Sequence, residues 1–443
     1  MKRYEAYDSF LDIWVNEIPA HWKTHKMKYL FHERSEKGYP DEPLLVASQN
    51  MGVVPKKVYG NRTAEAQKDL HLLKLVRVDD FVISLRSFQG GLEYAYYQGI
   101  ISPAYTVLTP HEPITAGYFR YLAKSKLFIG LLTLCVTGIR EGQNIDYEKL
   151  RNHSLPVPPR TEQDQIVRYL DWQVSKINRL IAAKRKRIEL VKEHFSVRIA
   201  NIVCNGLKPN TPMRETGIDY IGAIPSHWTV LQNKRLFKSM NRTFQGIPTV
   251  LSLSQKDGLI PYSEMTERSL HTSSYENWQL VCPNDLVLNR FKAHLGVFFA
   301  SKYTGIVTFH YGVYEAKMPL VAKYYEVLYH TPEYCRVYAG QSRGMTVGLQ
   351  NLSDTNFYST YTVYPPNEEQ REIVTEIEQN EKQQSSIIAG VNRQIEKLQE
   401  FRTRLISDVV TGQVDVRGIE VPEFEYVGEA DVAEEQDEES EVG

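Results

Sequence analysis

An internal repeat constrains this sequence more than any other feature. The run IPAHW at 18–22 returns as IPSHW at 224–228, 206 positions later. Two further runs, LPVPP at 155–159 and TVYPP at 362–366, each precede a Glu-Gln pair after two more residues. Because self-similarity at a fixed spacing reflects duplicated structural units, the pattern predicts two copies of one architecture.

A long amphipathic helix is predicted at the end of each copy. No Gly or Pro lies between Pro159 and Gly206, and apolar residues recur there at steps of three and four. About 44 helical residues would extend for roughly 66 Å, so we expect the two helices to pair as an antiparallel coiled coil. The stripe residues, assigned to spacing and partner docking, are Ile166, Leu170, Ile177, Ile181, Ile188 and Val191, then Ile373, Ile377, Ile388, Val391, Ile395 and Leu398.

The remainder of each copy reads as a β-rich domain. Short β-prone runs, such as 306–314, alternate with Gly, Pro, Asn and Asp turns, and helices are predicted at 116–125 and 321–330. The predicted fold is mixed α/β, with two β-rich domains in pseudo-twofold tandem repeat separated by the long helices. The predicted segments are a first domain at 1–159, a central helix at 160–206, a linker and second domain at 207–366, a second helix at 367–413, and an acidic tail at 414–443.

Charge is distributed unevenly along the chain. Of 54 acidic residues, 11 lie between Gly418 and Gly443, where no Lys or Arg occurs. The other 43 face 52 basic residues, so residues 1–417 carry a net charge of +9, which suits a polyanionic partner. We expect the tail to be disordered, and we favour a solubilising role for it over mimicry of nucleic acid.

Several classes of function find no support in the sequence. The longest apolar run, 127–136, is too short for a membrane span, and the charged start is unlike a secretion signal. The four cysteines form no CxxC pair, and phosphate-loop, GxGxxG and HExxH motifs are absent. We therefore expect a cytoplasmic protein that binds no membrane, metal or cofactor directly.

One set of residues has a nuclease-like composition. Asp285, Glu315 and Lys317 could place carboxylates for Mg²⁺ beside a lysine. The other copy has Thr109 and His111 in place of Glu315 and Lys317, so the set occurs once and a catalytic role is disfavoured. For His21 and His227 we expect packed, hydrogen-bonded domain starts.

Polar and basic residues on loops are the candidates for reading DNA. Arg and Gln can each form two hydrogen bonds to one base edge, and Lys favours phosphates. Any surface loop, however, can carry these residues. The candidates that follow the Asp80 and Asp285 strands are Arg86, Ser87, Gln89, Arg290, Lys292 and His294. Those in the glycine-containing loops 137–144 and 343–351 are Arg140, Gln143, Asn144, Arg343, Thr346 and Asn351.

Between the repeated runs the copies diverge, as 51–75 and 253–278 show. Such divergence within one frame favours a device that presents two different recognition surfaces. Neutral drift after duplication is the alternative.

On these motifs, the chain resembles the specificity subunit of a type I restriction-modification system over residues 1–413. The paired Ile-Pro-x-His-Trp and Pro-Pro-x-x-Glu-Gln runs carry the resemblance. Asn16 stands where the family has Gly, and the acidic tail has no counterpart in the family pattern.

The resemblance implies a chain that is not an enzyme by itself. Residues 17–159 and 223–366 would be target-recognition domains, each reading half of a bipartite, gapped site in double-stranded DNA. Segments 160–206 and 367–413 would set the gap and dock two adenine-methyltransferase (M) subunits. The M subunits would use S-adenosylmethionine, restriction and translocase (R) subunits would use ATP and Mg²⁺, and the setting would be a prokaryotic cytoplasm.

Two other functions stay open on sequence grounds. One is a self-contained nuclease or methylase, and the other is a coiled-coil adaptor that binds protein alone. Activity of the purified chain tests the first, and a salt-dependent affinity for DNA tests the second.

Overall fold

The computed structural model describes residues 2–10, 12–49, 51–59, 69–84, 87–137, 144–244, 249–254, 258–265, 275, 277–342 and 351–428. The chain forms two compact units. Unit 1 comprises Met1–Arg187 and Gly390–Gly443, and unit 2 comprises Ile188–Ala389. Each unit therefore combines one globular domain with part of each long helix.

Unit 1 is a mixed α/β structure. Its short elements are β1 (Tyr7–Ser9), β2 (Glu17–Pro19), β3 (Lys23–Lys26), β4 (Phe31–Arg34), β5 (Leu45–Ser48), β6 (Gly52–Pro55), α1 (Lys56–Tyr59), β7 (Lys74–Val76), β8 (Phe81–Ile83), α2 (Ser87–Gly90), β9 (Glu93–Tyr94), β10 (Gly99–Ile101), β11 (Thr106–Pro110), α3 (Ala116–Leu122), α4 (Lys126–Leu134), β12 (Val136–Thr137), β13 (Asn144–Ile145), α5 (Tyr147–Leu150) and β14 (Ser154–Val157). The central sheet has the antiparallel order β4-β11-β8-β9.

Two long helices connect and follow the domains. Helix α6 is Arg160–Asn205, and the later helix is Asn367–Val410. Each begins just after a Pro-Pro pair, which cannot continue a strand and suits a helix start. Gly206 and Gly412 follow the helices with φ of 81° and 75°, a left-handed conformation that favours glycine at a helix end.

Unit 2 has its own set of short elements. They are β15 (Met213–Glu215), β16 (Ala223–Pro225), β17 (Thr229–Gln232), α7 (Asn233–Leu236), β18 (Phe237–Ser239), β19 (Leu251–Ser254), β20 (Gly258–Pro261), β21 (Gln279–Val281), β22 (Leu286–Asn289), β23 (Phe298–Ala300), β24 (Gly305–Val307), β25 (Tyr311–Ala316), α8 (Ala322–Tyr329), α9 (Pro332–Gln341), α10 (Asp354–Ser359) and β26 (Tyr361–Tyr364), before α11 (Asn367–Val410). The central sheet has the order β18-β25-β22-β23, which is the order of the unit 1 sheet.

A small apolar core lies beside the central sheet of each unit, and the two cores use corresponding positions. In unit 1 the core residues are Leu45, Val53, Val76, Val82, Ala95, Ile101 and Val107. In unit 2 they are Leu251, Leu253, Leu259, Val281, Val287, Val297, Val307 and Val313. The hairpins β5-β6 and β19-β20 also correspond, although their sequences align poorly.

Within unit 1 the parts of α6 and α11 run antiparallel. Lys184 donates to Gln394 at 2.7 Å, and Arg402 donates to Asn178 at 2.8 Å. Residue numbers therefore increase along α6 where they decrease along α11. The stripe residues Ile166, Leu170, Ile177 and Ile181 are buried. The mixed α/β class and the long helices expected from the sequence are thus present.

The structure differs from the expected disordered tail at residues 414–428. Val414, Val416 and Val421 are buried, and several backbone groups of this segment bond to α6. Apolar residues interspersed among the acidic ones allow the segment to pack. Residues 429–443 lie outside the described residues.

Candidate nucleic-acid interface

The first repeated motif forms a junction between domain and helix in unit 1. Trp22 donates its indole N–H to Glu162 Oε1 at 3.0 Å, and His21 Nε2 lies 2.7 Å from Glu162 Oε2. The hydroxyl of Tyr4 also donates to Glu162, whose side chain is only 4% exposed. A buried carboxylate needs such partners. Glu162 therefore joins the domain start to the first turn of α6.

The same junction occurs in unit 2. Trp228 donates to Glu369 at 3.0 Å, and His227 Nε2 lies 2.8 Å from the same carboxylate. Both histidines are hydrogen-bonded as expected, but the expectation that they are packed is wrong, because their side chains are 39% and 49% exposed. Within each unit the Ile-Pro-x-His-Trp motif contacts the Pro-Pro-x-x-Glu-Gln motif, which explains why the two motifs recur together.

The glutamine that follows each glutamate is buried and bonds to backbone. Gln163 donates to the carbonyls of Pro113 and Pro158 and accepts from the amide of Thr115, with distances of 2.8–2.9 Å. Gln370 donates to Pro365 and accepts from the amide of Val321. These amides position the helix start against the domain.

The strand carboxylates Asp80 and Asp285 are also structural. Arg34 donates to Asp80 at 2.8 Å, and Arg242 forms an ion pair with Asp285 at 2.5 Å. Arg242 pairs with Glu315 as well, at 3.2 Å. These pairings occupy the carboxylates of the nuclease-like set. Among the described residues, no group of three or more His, Cys, Asp or Glu could hold a metal ion.

The candidate recognition residues of unit 1 have different environments. Ser87 is fully buried, and its hydroxyl accepts from the amide of Ser84 at 2.8 Å, so it shapes the turn after β8. Gln89 and Asn144 are exposed and accessible to a ligand. The candidates Arg86, Arg140 and Gln143 lie outside the described residues.

In unit 2 the recognition candidates near β22 also differ in exposure and in pairing. Arg290 forms an ion pair with Asp354 at 2.7 Å, whereas Lys292 and Asn351 are exposed. His294 is half-buried, and its Nδ1 has no hydrogen-bond partner among the described residues. The amide of Leu352 donates to the carbonyl of Arg290, which brings Asn351 near this loop. Arg343 and Thr346 lie outside the described residues.

An aromatic edge on unit 2, formed by Phe291, Phe309 and His310, was missed from the sequence. Asn289 pairs with Tyr311 in the sheet, so the loops after β22 and before β25 meet at one end. Phe309 is 56% exposed, and its ring centroid lies 3.9 Å from that of His310. Exposed aromatic rings, with Lys292 next to Phe291 in the sequence, offer apolar contacts to base edges in duplex DNA. This edge was not predicted because the β-prone run 306–314 suggested one continuous strand, with no loop at Phe309 and His310.

Unit 1 contains a cavity of about 490 Å³ rich in tyrosine. Its lining includes Tyr94, Tyr96, Tyr97, Tyr121 and Tyr426. Close to this wall, Lys124 forms an ion pair with the buried Glu93 at 2.7 Å. Burial raises the pKa of Glu93 to about 7, because desolvation of the carboxylate outweighs the attraction of Lys124.

The stripe residues of the helices lie mostly inside the chain. Ile188, Ile373, Ile377, Val391 and Ile395 are buried, in addition to those named above for α6. Val191, Ile388 and Leu398 are half-buried. The exposed apolar residues of α6 are others, namely Leu180, Leu190 and Val197. No helix among the described residues is long and apolar enough to cross a membrane.

The architecture defines a class of protein, a mixed α/β chain in which two long helices each contribute to both compact units. This fold occurs among solved structures. The chain matches one from a study of complex assembly and conformational transition in the type I R-M system, with a TM-score of 0.62 and 12% identity. The match covers 90% of this chain and 99% of the other. It supports the coarser expectation of a mixed α/β chain with long helices.

Two further solved structures show lower similarity. The HsdS subunit from Thermoanaerobacter tengcongensis matches with a TM-score of 0.47 and 13% identity, over 90% of this chain and 98% of that one. The type I restriction-modification S subunit from M. genitalium matches with a TM-score of 0.32 and 11% identity, over 91% and 97%. No protein-family model and no curated protein sequence matches the chain.

Proposed function

We propose that this chain is the DNA sequence-specificity subunit of a type I restriction-modification complex and is not an enzyme by itself. One observation carries the proposal. Both units have the same sheet order and the same Trp-Glu junction, yet their exposed loops carry different side chains. A duplicated frame with different loops suits the reading of two unlike half-sites.

In this proposal the domains at 1–159 and 207–366 are a tandem repeat, and each reads one half of a bipartite, gapped site. Helices α6 and α11 set the gap between the half-sites. The 46 residues of α6 extend for about 69 Å, roughly two turns of B-DNA at about 34 Å per turn. The recognised bases would be read mainly by exposed loop residues such as Gln89 and Asn351.

The chemistry would belong to partner subunits. Two M subunits would methylate adenine with S-adenosylmethionine, and R subunits would translocate and cut DNA with ATP and Mg²⁺. Exposed apolar residues on α6 offer surface for such partners, since large apolar side chains in water favour association. This chain would direct the reaction by its choice of sequence.

The decisive experiment is genome-wide mapping of adenine methylation in the native host, with and without this gene. We expect the deletion to remove one bipartite, gapped methylation motif and leave others intact. If no motif changed while the gene was expressed and a methylating partner copurified with the chain, the specificity function would be wrong.

A second experiment tests the helices as spacers. Removing four residues, about one turn, from both α6 and α11 should change the length of the unread gap and preserve both half-sites. An unchanged gap in a folded variant would contradict the spacer role. Exchange of residues 17–159 for those of another subunit should change one half-site only.

The purified single chain separates this function from the alternatives. It should bind duplex DNA with an affinity that falls steeply with salt, and it should show no methylation or cleavage. Activity with Mg²⁺ or S-adenosylmethionine alone would favour a self-contained enzyme. A folded chain without DNA affinity would favour a protein adaptor.

A further inference from the structure

The tyrosine-lined cavity of unit 1 has the size of a small-molecule site. Its volume of about 490 Å³ lies within the range of about 300–1,000 Å³ that is typical of ligand pockets. Helices α3, α6 and α11, the hairpin β5-β6 and the terminal segment 414–428 all contribute residues to its lining. The cavity therefore lies where the first domain meets the parts of both long helices that belong to unit 1.

Aromatic rings form much of the cavity wall. Five tyrosines line it, and two of them, Tyr96 and Tyr97, are 42% and 47% exposed. The rings of Tyr94 and Tyr96 meet edge to face, with centroids 4.7 Å apart. Exposed tyrosine rings present faces on which a planar aromatic ligand can stack. The wall therefore suits a ligand that contains an aromatic ring.

Arg120 supplies hydrogen-bond donors to the cavity. A guanidinium has five N–H groups, and that of Arg120 donates to Asp171 at 2.6 Å. Within the described part of the chain this is the only hydrogen bond of the Arg120 side chain. The rings of Tyr121 and Tyr94, centred 4.9 and 5.6 Å from its Cζ, help to hold it in place. Because Arg120 lines the cavity, its other N–H groups can reach a ligand there.

The lining carries positive charge. Arg120, Lys124 and Arg402 are its charged residues, and the described lining contains no Asp or Glu. Arg402 donates to the neutral amide oxygen of Asn178 at 2.8 Å. Asp171, which lies outside the lining, offsets the charge of Arg120. The charges that remain favour an anionic ligand over a cationic one.

Lys124 contributes charge to the cavity but few free donors. Its ammonium donates to two backbone carbonyls and to Glu93 at 2.7–3.2 Å, which uses its three N–H groups. Burial raises the pKa of Glu93 to about 7, so this carboxyl balances the charge of Lys124 only in part near neutral pH. Arg120 is therefore the group best placed to bond an anion directly.

The corresponding positions of unit 2 lack this chemistry. The amides of Thr115 and Val321 both donate to a buried glutamine, so residues 206 positions apart are equivalent here. The amides of Ala95 and Ser301, which both donate to a strand aspartate carbonyl, show the same spacing. On this spacing the equivalent pairs are Tyr94 and Ala300, Tyr96 and Lys302, Arg120 and Glu326, and Tyr121 and Val327. The aromatic and basic lining is thus a property of unit 1, and it did not arise from the shared frame.

We propose that this cavity binds a nucleoside monophosphate, with the base against Tyr96 and Tyr97 and the phosphate at Arg120. A base offers a flat π face to tyrosine rings, and a phosphate accepts paired N–H bonds from a guanidinium. The bound nucleotide holds the first domain against α11 and the terminal segment. This inference uses the cavity alone and does not depend on the proposed DNA-reading function.

The first test is calorimetric titration of the full chain. The probes are AMP, GMP, CMP and UMP, with adenosine and inorganic phosphate as partial ligands. We expect a nucleotide to bind one to one and about tenfold more tightly than adenosine or phosphate, because each partial ligand loses one set of contacts. Failure of every nucleotide to bind the folded chain at up to about 1 mM would overturn the proposal.

Variants of the lining test the two halves of the site. Tyr97→Ala should weaken nucleotide binding about tenfold through loss of stacking. Arg120→Gln should bring the affinity for AMP down to that for adenosine, a change that general loosening of the fold would not produce. Tyr29→Ala is the control, because that ring is 62% exposed and lies outside the lining. Unchanged binding by Tyr97→Ala would overturn the stacking role even if Arg120→Gln did not fold.

Hydrogen exchange and a short single strand locate the site and the source of the nucleotide. AMP should slow amide exchange in α3 and in residues 419–428, because a bound ligand stabilises the elements that contact it. Slower exchange only elsewhere in the chain would overturn the placement in this cavity. Binding of a tetrathymidylate strand, with no binding of mononucleotides, would assign the site to a DNA strand and overturn the free nucleotide as its ligand.

Discussion

Trp22 and Glu162, 140 residues apart in the sequence, are joined by a 3.0 Å hydrogen bond that fixes the first domain to the start of α6. Trp228 and Glu369 make the same bond in unit 2. The glutamates differ in burial, since the side chain of Glu162 is 4% exposed and that of Glu369 is 20% exposed. This difference predicts unequal effects of mutation.

Glu162→Ala should lower the free energy of unfolding by about 3 kcal/mol, because the buried donors of Trp22 and Tyr4 lose their acceptor. Glu369→Ala should cost about 1–2 kcal/mol, since water reaches that carboxylate more easily. Urea titration followed by tryptophan fluorescence measures both. Glu162→Gln, which keeps an acceptor, is the control and should cost less than Glu162→Ala. Equal losses in the two alanine variants would contradict the burial argument.

The glycines after the helices provide a second matched pair. A Cβ at Gly412 would lie 2.3 Å from Pro19 Cδ, and one at Gly206 would lie 3.0 Å from Glu369 Oε1. Both have positive φ, so Gly412→Ala should destabilise the chain by about 3 kcal/mol and Gly206→Ala by about 1–2 kcal/mol. Gly418, with no atom within 4 Å of an added Cβ, is the control. Thermal and urea unfolding should rank the three variants in this order.

Glu93 predicts a dependence of stability on pH. Its pKa rises from an ordinary 4.5 to about 7 on folding, so the folded chain holds a proton that the unfolded chain releases. The stability from this group is complete below pH 4.5 and is lost as the pH rises through 7. The free energy of unfolding of Glu93→Gln, relative to that of the natural chain, should therefore rise by about 3 kcal/mol between pH 4.5 and pH 7. A difference for Glu93→Gln that stays constant with pH would refute the assignment.

Arg290 and Lys292 should behave differently in DNA binding. Lys292 is exposed and should contact a phosphate, so Lys292→Ala should reduce the slope of log affinity against log salt by about 1. Arg290 is paired with Asp354, so Arg290→Ala should change stability by about 1 kcal/mol and leave the slope nearly constant. Titrations at several salt concentrations distinguish them. A larger slope change for Arg290→Ala would mean that the ion pair opens on DNA.

Phe309 tests the aromatic edge of unit 2. If its ring contacts a thymine methyl group in the major groove, Phe309→Ala should weaken DNA binding by about fivefold. Leu134→Ala in unit 1 is the control, because that side chain is 62% exposed and lies on α4. Fluorescence anisotropy with labelled duplex measures both. Equal small effects would show that the edge lies away from DNA.

The sequence predicted the frame of this molecule better than its loops. The motifs around Trp22 and Glu162 could be recognised as repeats in the sequence because both units use the same side-chain contacts. The hairpins β5-β6 and β19-β20 were not aligned, since pairing of backbone groups tolerates many side chains. Ser87 was chosen as an exposed reader, but its hydroxyl is needed inside a turn. Such local hydrogen bonds depend on the folded backbone, which periodicity does not specify.

The division of the chain into units also orders its folding during synthesis. Unit 2 is continuous, whereas unit 1 needs residues on both sides of it, and the amide of Asp415 donates to the carbonyl of Lys2 at 2.9 Å. At roughly 5–20 residues per second, the first domain emerges from the ribosome some 10–50 s before residue 415 is made. During that interval the apolar stripe of α6 lacks the residues of α11 that pack against it in the folded unit. Unit 1 can therefore be completed only after the last part of the chain has been synthesised. Unit 2 is the first unit to be completed.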